Sequence, residues 1–487
     1  MTTIIKIMRN LSLIILLAIT FPAFSQNISD TPVGKVALQL VNALNTGNPE
    51  KQHAFIAAHI DPRASRSSNE EWAKQLADLY RQTGGVELVE MKQGRDPDEA
   101  HLILKPKNNT QMIEMFTHLS RESTNQVIGF ILRPTGKSAS PMPQKVLSDA
   151  DIAKEIEQRV AKAVSEDRFS GAILVTKNNQ KIIDKAYGFA DQEKKISNSP
   201  NTKFNLGSMN KMFTGVAIAQ LVQAGKLSFN DSLAKVLPDY PNKAIAKKIT
   251  VAQLLTHTSG LGDFFTPAFF DKRDQYVDLP SYLPLFANQA LQFEPGTDWA
   301  YSNAGFIVLG VIIEKMSGEN YFDYVRKHIF KPAGMADTDF FERNLITPSM
   351  AIGYTRDENG GAQSPRRSNT AMLPVKGSSA GGGYSTTQDL LSFRNALLEN
   401  RLLNAAMTKM VLTGKVDDHH PESKYAYGFM DVIKAGKHMV GHNGGGPGIN
   451  GSMNMLDNGY TVIALGNYDP PAADVLVRDI SELLIRQ

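Results

Sequence analysis

Two hairpin signals lie at opposite ends of the long C-terminal part of the chain. Gly171 to Thr176 and Lys181 to Ala186 read as strands joined at Asn178-Asn179, residues that accept the backbone of a tight turn. Gly451 to Met455 and Tyr460 to Leu465 read as a second pair, joined through Asp457-Asn458-Gly459, where Asn-Gly favours a two-residue turn. A helical run over Asp149 to Glu166 precedes the first pair, and a helix apolar on one face, Ala472 to Ile485, follows the second. Strands at both ends with helical material between them predict an α+β fold. Its antiparallel sheet is assembled from distant segments, flanked by helices, and carries an inserted helical region.

A chain of 487 residues is too long for one ordinary core, so two globular units are expected. Residues 26–134 form the first. Apolar positions at helical spacing run from Val33 to Leu44, and a second helical stretch covers Glu70 to Gln82. Strand-like runs follow at Val86 to Met91, His101 to Leu104 and Val127 to Leu132. Helices first and strands after resemble the cone-shaped NTF2-like fold. His53, His59, His101 and His118 are scattered here and read as structural. Thr135 to Gln144 is rich in Pro, Ser and Gly and marks a linker, taken as 135–148, with the larger unit over 149–487.

Lys6 and Arg9, the apolar run Leu11 to Phe24, and small residues before Gln26 describe a secretory signal over residues 1–25. The run is shorter than the ~20 residues of a membrane-spanning helix. The expectation is an exported protein, periplasmic or extracellular, with no membrane span once the signal is removed. The 52 basic and 49 acidic residues nearly balance, and no basic stripe suggests a nucleic-acid partner. Zero cysteines exclude disulfides, thiol catalysis and cysteine-ligated metal. The run Asp417-Asp418-His419-His420 reads as a solvated loop. Neither metal nor cofactor is expected.

Three segments carry the chemistry. In Gly207-Ser208-Met209-Asn210-Lys211 the serine and lysine stand at i and i+3, ahead of an apolar run from Val216 to Ala224. On a helix they share a face. A serine hydroxyl needs a neighbouring base to attack at neutral pH, and burial lowers the pKa of a lysine enough to make it one. Spacing alone is weak evidence, because Ser232-Leu233-Ala234-Lys235 has it too. Glu294-Pro295-Gly296 then leads into Tyr301-Ser302-Asn303 and an apolar helix from Ala304 to Met316. Beside a cation, Tyr301 is a candidate base, and Asn303 a candidate hydrogen-bond partner for a substrate carbonyl. An isolated Tyr-x-Asn reads more readily as a core tyrosine at a helix start. Last comes Val440-Gly441-His442-Asn443-Gly444-Gly445-Gly446, a small-residue stretch that substrate backbone can approach closely and that can offer an oxyanion donor beside the Ser208 amide.

Together and in this order the three segments resemble the serine β-lactamase and penicillin-binding superfamily. The match is to the class C β-lactamase-related branch of esterases, D-amino-acid peptidases and carboxypeptidases. It covers Asp149 to Gln487 and extends to Leu254-Leu255-Thr256-His257-Thr258-Ser259-Gly260-Leu261 and Gly381-Gly382-Gly383-Tyr384-Ser385-Thr386. The resemblance implies that Ser208 is acylated, Lys211 and Tyr301 handle protons, and Asn303 orients substrate. It implies that the amides of Ser208 and Gly445, in the Gly444-Gly445 stretch, hold the oxyanion. It also sets His442 where many relatives carry a lysine for the substrate carboxylate. A neutral imidazole anchors a carboxylate less well, which favours an ester or peptide substrate over a β-lactam. Asn210 stands where Ser or Thr is usual, its side chain expected to point away from the serine.

The expected activity is acyl transfer to water from a small-molecule ester or peptide. The alternative of another class is a binding or sensor protein that acylates slowly or not at all. The loops Asp263 to Gln289 and Asp357 to Lys376 are expected to set specificity. Phe264, Phe265, Phe269 and Phe270 hint at an apolar rim, although such residues more often pack beneath a loop.

Overall fold

The computed structural model describes residues 28–60, 69–94, 98–107, 111–120, 123–138, 147–356, 364–420, 422–434 and 436–487. The expected signal, 1–25, lies outside them. The chain separates between Gln144 and Lys145 into two compact units.

The smaller unit begins with α1 (Pro32–Asn45), α2 (Pro49–His59) and α3 (Asn69–Thr83). Thr31 and Asn48 cap the first two by accepting backbone N–H groups, and each has proline in its first turn, where the missing donor is not needed. An antiparallel meander follows, β1 (Val86–Gln93), β2 (Glu99–Pro106), β3 (Gln111–Ser120) and β4 (Ser123–Ser138). Val36, Leu40 and Leu44 pack with Leu76, Leu102 and Met115 in its core. Two of these elements were not expected from sequence. The helix α2 buries only Gln52, Phe55 and Ile56, and β3 is built from Met, His and Glu as much as from good strand formers. The expected linker also starts later than its composition suggests. Thr135 to Ser138 belongs to β4, an edge strand, where proline and glycine are tolerated because one side of the strand needs no partner.

The larger unit holds an eight-stranded antiparallel sheet. Its order runs Val416–Asp417, Ser423–Tyr425, Met430–Lys434, Lys437–Gly446, Ile449–Leu456, Tyr460–Gly466, then β5 (Gly171–Lys177) and β6 (Gln180–Tyr187). The two expected hairpins meet in the middle: Tyr460 pairs with Lys177 and Gly466 with Gly171. Asn178 and Asn179 both take positive φ, 49° and 67°, the requirement of the tight turn that joins right-twisted strands. Antiparallel sheets often leave one face in water, but this one is covered on both. Ile173 and Val175 face α4 (Asp149–Ser165) and the C-terminal helix Ala472–Leu484, packing on Ile156, Val160, Val477 and Ile480. Ala172, Leu174, Ile463 and Leu465 face the other way, into the core that holds the inserted helices. Central among these is α5 (Lys211–Gln223), buried continuously from Lys211 to Ala219. A helix apolar on every side has to be enclosed.

One expectation changes here. The glycine-rich segment ahead of the closing strands is itself a strand, Lys437–Gly446, paired residue for residue from Met439 to Gly446 with Leu456 to Ile449. Glycines weaken a strand unless a neighbour needs the space, and Gly444 shows the need. A Cβ at that position would lie 2.0 Å from the Leu206 carbonyl oxygen and 2.8 Å from the Ser208 nitrogen.

Candidate active site

Ser208 sits in a 3-10 turn, Gly207–Asn210, that runs into α5. Gly207 has φ 50°, and a Cβ there would meet the Gly445 nitrogen at 2.9 Å. Both conditions call for glycine. Two further segments flank this turn. Phe204–Asn205 pairs with Tyr384–Ser385, and Leu206 N donates to Gly383 O at 2.7 Å. Asn210 points away from the serine, as expected, and its Oδ1 accepts from Gly383 N at 3.0 Å.

Lys211 is fully buried. Its Nζ lies 3.1 Å from Ser208 Oγ, 2.7 Å from Asn303 Oδ1 and 2.6 Å from Ala380 O. Burial drives its pKa from 10.5 to about 7, against the opposing pull of the Asp263 carboxylate. The partners then decide where the lone pair goes. A neutral amine has two N–H donors and one lone pair. The Asn303 and Ala380 oxygens only accept, so they take both hydrogens, and the lone pair is left for the Ser208 hydroxyl.

Asn303 has a second task besides its expected one. Its Oδ1 holds Lys211, and its Nδ2 donates to Asp263 Oδ2 at 2.7 Å. The amide therefore orients the lysine, and because its nitrogen carries two N–H donors, the one bond to Asp263 is compatible with the expected role toward a substrate carbonyl from a residue that lines the cavity. Ser302 caps the helix Asn303–Ser317 by accepting Gly305 N at 3.0 Å, which puts Tyr301 just before the helix and Asn303 in its first turn.

Tyr301 lines the same cavity as Ser208, and Lys211 Nζ lies 4.8 Å from its ring centroid. Desolvation pushes the phenol pKa up, outweighing a hydrogen bond with Ser208 that favours the phenolate. The residue is 38% exposed, so solvent tempers this rise without reversing it. Tyr301 is a neutral phenol here, and of the pair Lys211 is the group suited to accept a proton near pH 7.

His442, expected to be a weak carboxylate anchor, is enclosed by the protein. It is 2% exposed, its Nε2 lies 2.8 Å from Tyr425 Oη, and its Nδ1 lies 2.5 Å from Asn443 O. Burial, with the nearby Lys211 charge, lowers its pKa to about 3. A neutral imidazole engaged at both nitrogens is no anchor for a substrate carboxylate. Gly445, by contrast, lines the cavity beside Ser208, and Gly444 supplies the close approach described above.

Three contributors had no role assigned from sequence. His257, in the quoted Leu254–Leu261 segment, has φ 61° and is buried. Its carbonyl accepts from Ala300 N at 3.1 Å and its Nδ1 from Ser302 N at 3.0 Å, so it clamps the backbone on both sides of Tyr301. Asp263 was placed only within a loop, and Ala380 acts through its carbonyl, which no sequence motif displays. The second Ser-x-x-Lys has a different fate. Lys235 is 69% exposed and pairs with Asp231 at 2.5 Å, a solvated ion pair.

The serine opens onto a cavity of about 750 Å³. Phe264, Phe265, Phe269 and Phe270 all line it. Phe264 and Phe269 are buried, while Phe265 and Phe270 are 52% and 50% exposed, so the hinted apolar rim is present as a packed pair beneath an open pair. Residues 371–376 of the second expected loop form another wall, and 357–363 lie outside the described residues.

An antiparallel sheet covered on both faces, with a Ser-x-x-Lys turn entering a buried helix, defines a β-lactamase/transpeptidase-like fold. The chain belongs to the Beta-lactamase family, whose model matches residues 152–487, a family of serine hydrolases. It is 30% identical over 310 residues to a Bacillus subtilis protein named as a penicillin-binding protein, PbpX, covering 63% of this chain and 73% of that one. The crystal structure of a penicillin-binding protein from Bacillus halodurans aligns with TM-score 0.60 and 31% identity, over 68% of this chain and 98% of that one. The D-amino acid amidase of Ochrobactrum anthropi SV3 shares the fold, with TM-score 0.59 and 24% identity over 69% and 97% of the two chains.

Proposed function

We propose that this chain is an exported serine hydrolase that cleaves an ester or amide through an acyl-enzyme on Ser208. The observation that carries the reading is the hydrogen-bond set of Lys211, which leaves its lone pair to the Ser208 hydroxyl. Neutral Lys211 takes the hydroxyl proton as Oγ bonds to the substrate carbonyl carbon. The tetrahedral oxyanion is held by the N–H groups of Ser208 and Gly445, the first of them in a helical first turn, where amides lack intrahelical acceptors. Collapse expels the leaving group, which receives the proton from Lys211. Water, losing its proton to the amine, then attacks the ester on Ser208; collapse breaks the C–Oγ bond and frees the acid, and Lys211 returns the proton to Oγ. Tyr301 stays a hydroxyl, able to donate to the leaving atom.

The test is intact mass after incubation with a fluorophosphonate probe. Labelling is expected in wild type and Ser232→Ala and lost in Ser208→Ala. Absence of labelling in folded wild type refutes the reading and leaves a binding or sensor protein. Lys6, Arg9 and the apolar run to Phe24 support export; a mature N-terminus at Gln26 is the expected readout.

A further inference from the structure

The cavity wall has a charge character that separates the substrate classes handled by proteins of this fold. Three cationic residues line it, Arg273, Arg343 and Lys376, and no carboxylate does among the described residues. Two of the three have acidic neighbours. Arg343 bonds Asp274 at 2.8 Å, and Lys376 stands 3.9 Å from Glu342. Arg273 has no carboxylate partner among the described residues. Its guanidinium donates to two carbonyls, Phe270 O at 3.1 Å and Ala371 O, and its Nε is buried without a partner. Asp263 does not offset this charge within the cavity. Its oxygens face Asn303 Nδ2 and the amides of Phe264 and Phe265. Arg273 follows directly on the short helix Pro267–Lys272 that carries Phe269 and Phe270, so the spare cation and the aromatic wall belong to one segment.

We propose that the substrate presents a bulky apolar group to this cavity and is neutral or anionic, its negative charge met by Arg273. Substrates with a free ammonium are excluded, including amino-acid amides with an unblocked α-amine. This inference rests on the acyl-enzyme reading above and narrows it. An ammonium would enter an apolar, cation-lined space with no carboxylate to pair with, a costly desolvation. A carboxylate would gain charge-assisted hydrogen bonds from a guanidinium whose donors otherwise meet only neutral carbonyls.

The experiment compares kcat/KM for esters of matched length ending in methyl, carboxylate or ammonium. One series carries the variable end on the acyl side and a second carries it on the leaving alcohol. In at least one series the carboxylate ester is expected to exceed the ammonium ester by roughly ten-fold or more, the worth of about 1.4 kcal/mol. A phenylpropionyl ester is expected to exceed the acetyl ester by roughly ten-fold as well, from burial of the ring. Arg273→Gln should lower the carboxylate ester alone, and Arg273→Lys should restore part of the difference. Equal turnover of ammonium and carboxylate esters in both series overturns the proposal, as does an equal loss on all three esters in Arg273→Gln. Fluorophosphonate labelling of each protein separates the two levels. Without labelling the hydrolase reading fails, whereas labelling with no charge order fails this inference alone.

Discussion

Replacing Asp263 by asparagine isolates the electrostatic part of the site. Asp263 reaches Lys211 only through Asn303, by the 2.7 Å contacts Lys211–Asn303 and Asn303–Asp263. Across that amide the two charges lie about 7 Å apart, which at an effective dielectric near 20 amounts to about 2 kcal/mol, or one to two pKa units. The sign follows from which form is needed. The carboxylate favours the ammonium, so it holds the Lys211 pKa up against desolvation. The base is the neutral amine, so activity rises as pH passes through the lysine pKa, at about 7 in wild type. Without the carboxylate charge the amine is neutral at lower pH, and the rising limb moves to the acid side by about one unit or more. The high-pH plateau falls as well, because a less basic amine takes a proton less readily and one contact around Asn303 is lost. Packing damage alone lowers the plateau and leaves the midpoint in place. The assay is the pseudo-first-order rate of fluorophosphonate labelling from pH 5 to 9. A midpoint that stays put or moves to higher pH in Asp263→Asn refutes the assignment of Lys211 as the titrating base.

Two further outcomes follow from neighbouring residues of one strand. Gly444→Ala puts a methyl into the Leu206 carbonyl and against the Ser208 amide, whereas at Gly446 the nearest atom to a new Cβ is Ile449 Cδ1 at 3.8 Å. Gly444→Ala is therefore expected to lose labelling and about 1–3 kcal/mol or more of stability, with Gly446→Ala close to wild type, both read by urea unfolding and labelling rate. His442→Lys is expected to lower stability by several kcal/mol without creating penicillin hydrolysis, because the new ammonium is buried beside Lys211 and the Tyr425 hydroxyl loses its acceptor; a functional carboxylate anchor there would instead raise turnover of penicillin at little cost in thermal stability.

The large sheet was legible because its signals are local. Asn178-Asn179 and Asn458-Gly459 announce turns, and three of the four runs beside them, all but the edge strand Gln180–Tyr187, are apolar enough to be inner strands. The covering helices show themselves by one-sided apolar periodicity, and α5 by its lack of sidedness. Strand Lys437–Gly446 was hidden because glycine is a poor strand former, and the reason for Gly444 is the Leu206–Ser208 backbone, far away in sequence. The internal partners of Asn303 and His442 were hidden for a related reason. Sequence shows which group a side chain carries, not whether a neighbour already holds it. Asp263 holds the Asn303 amide, and Tyr425 meets the His442 imidazole.

The pair of Ser-x-x-Lys segments states the same point in energetic terms. Spacing brings lysine and serine together in both, but an ammonium in water stays protonated at neutral pH and cannot take a proton from a hydroxyl. At Lys235 the flanking chain leaves the amine in solvent, paired with Asp231. At Lys211 the apolar helix behind it pulls the amine out of water, and the lowered pKa is the direct consequence of that enclosure. Enclosure alone would leave its N–H groups unsatisfied, at a cost of several kcal/mol. The acceptors that prevent this come from positions 92 and 169 residues further along the chain, Asn303 and Ala380. The base proposed at Ser208 is thus a product of the whole domain closing around one lysine, and a two-residue motif can mark its place but not create it.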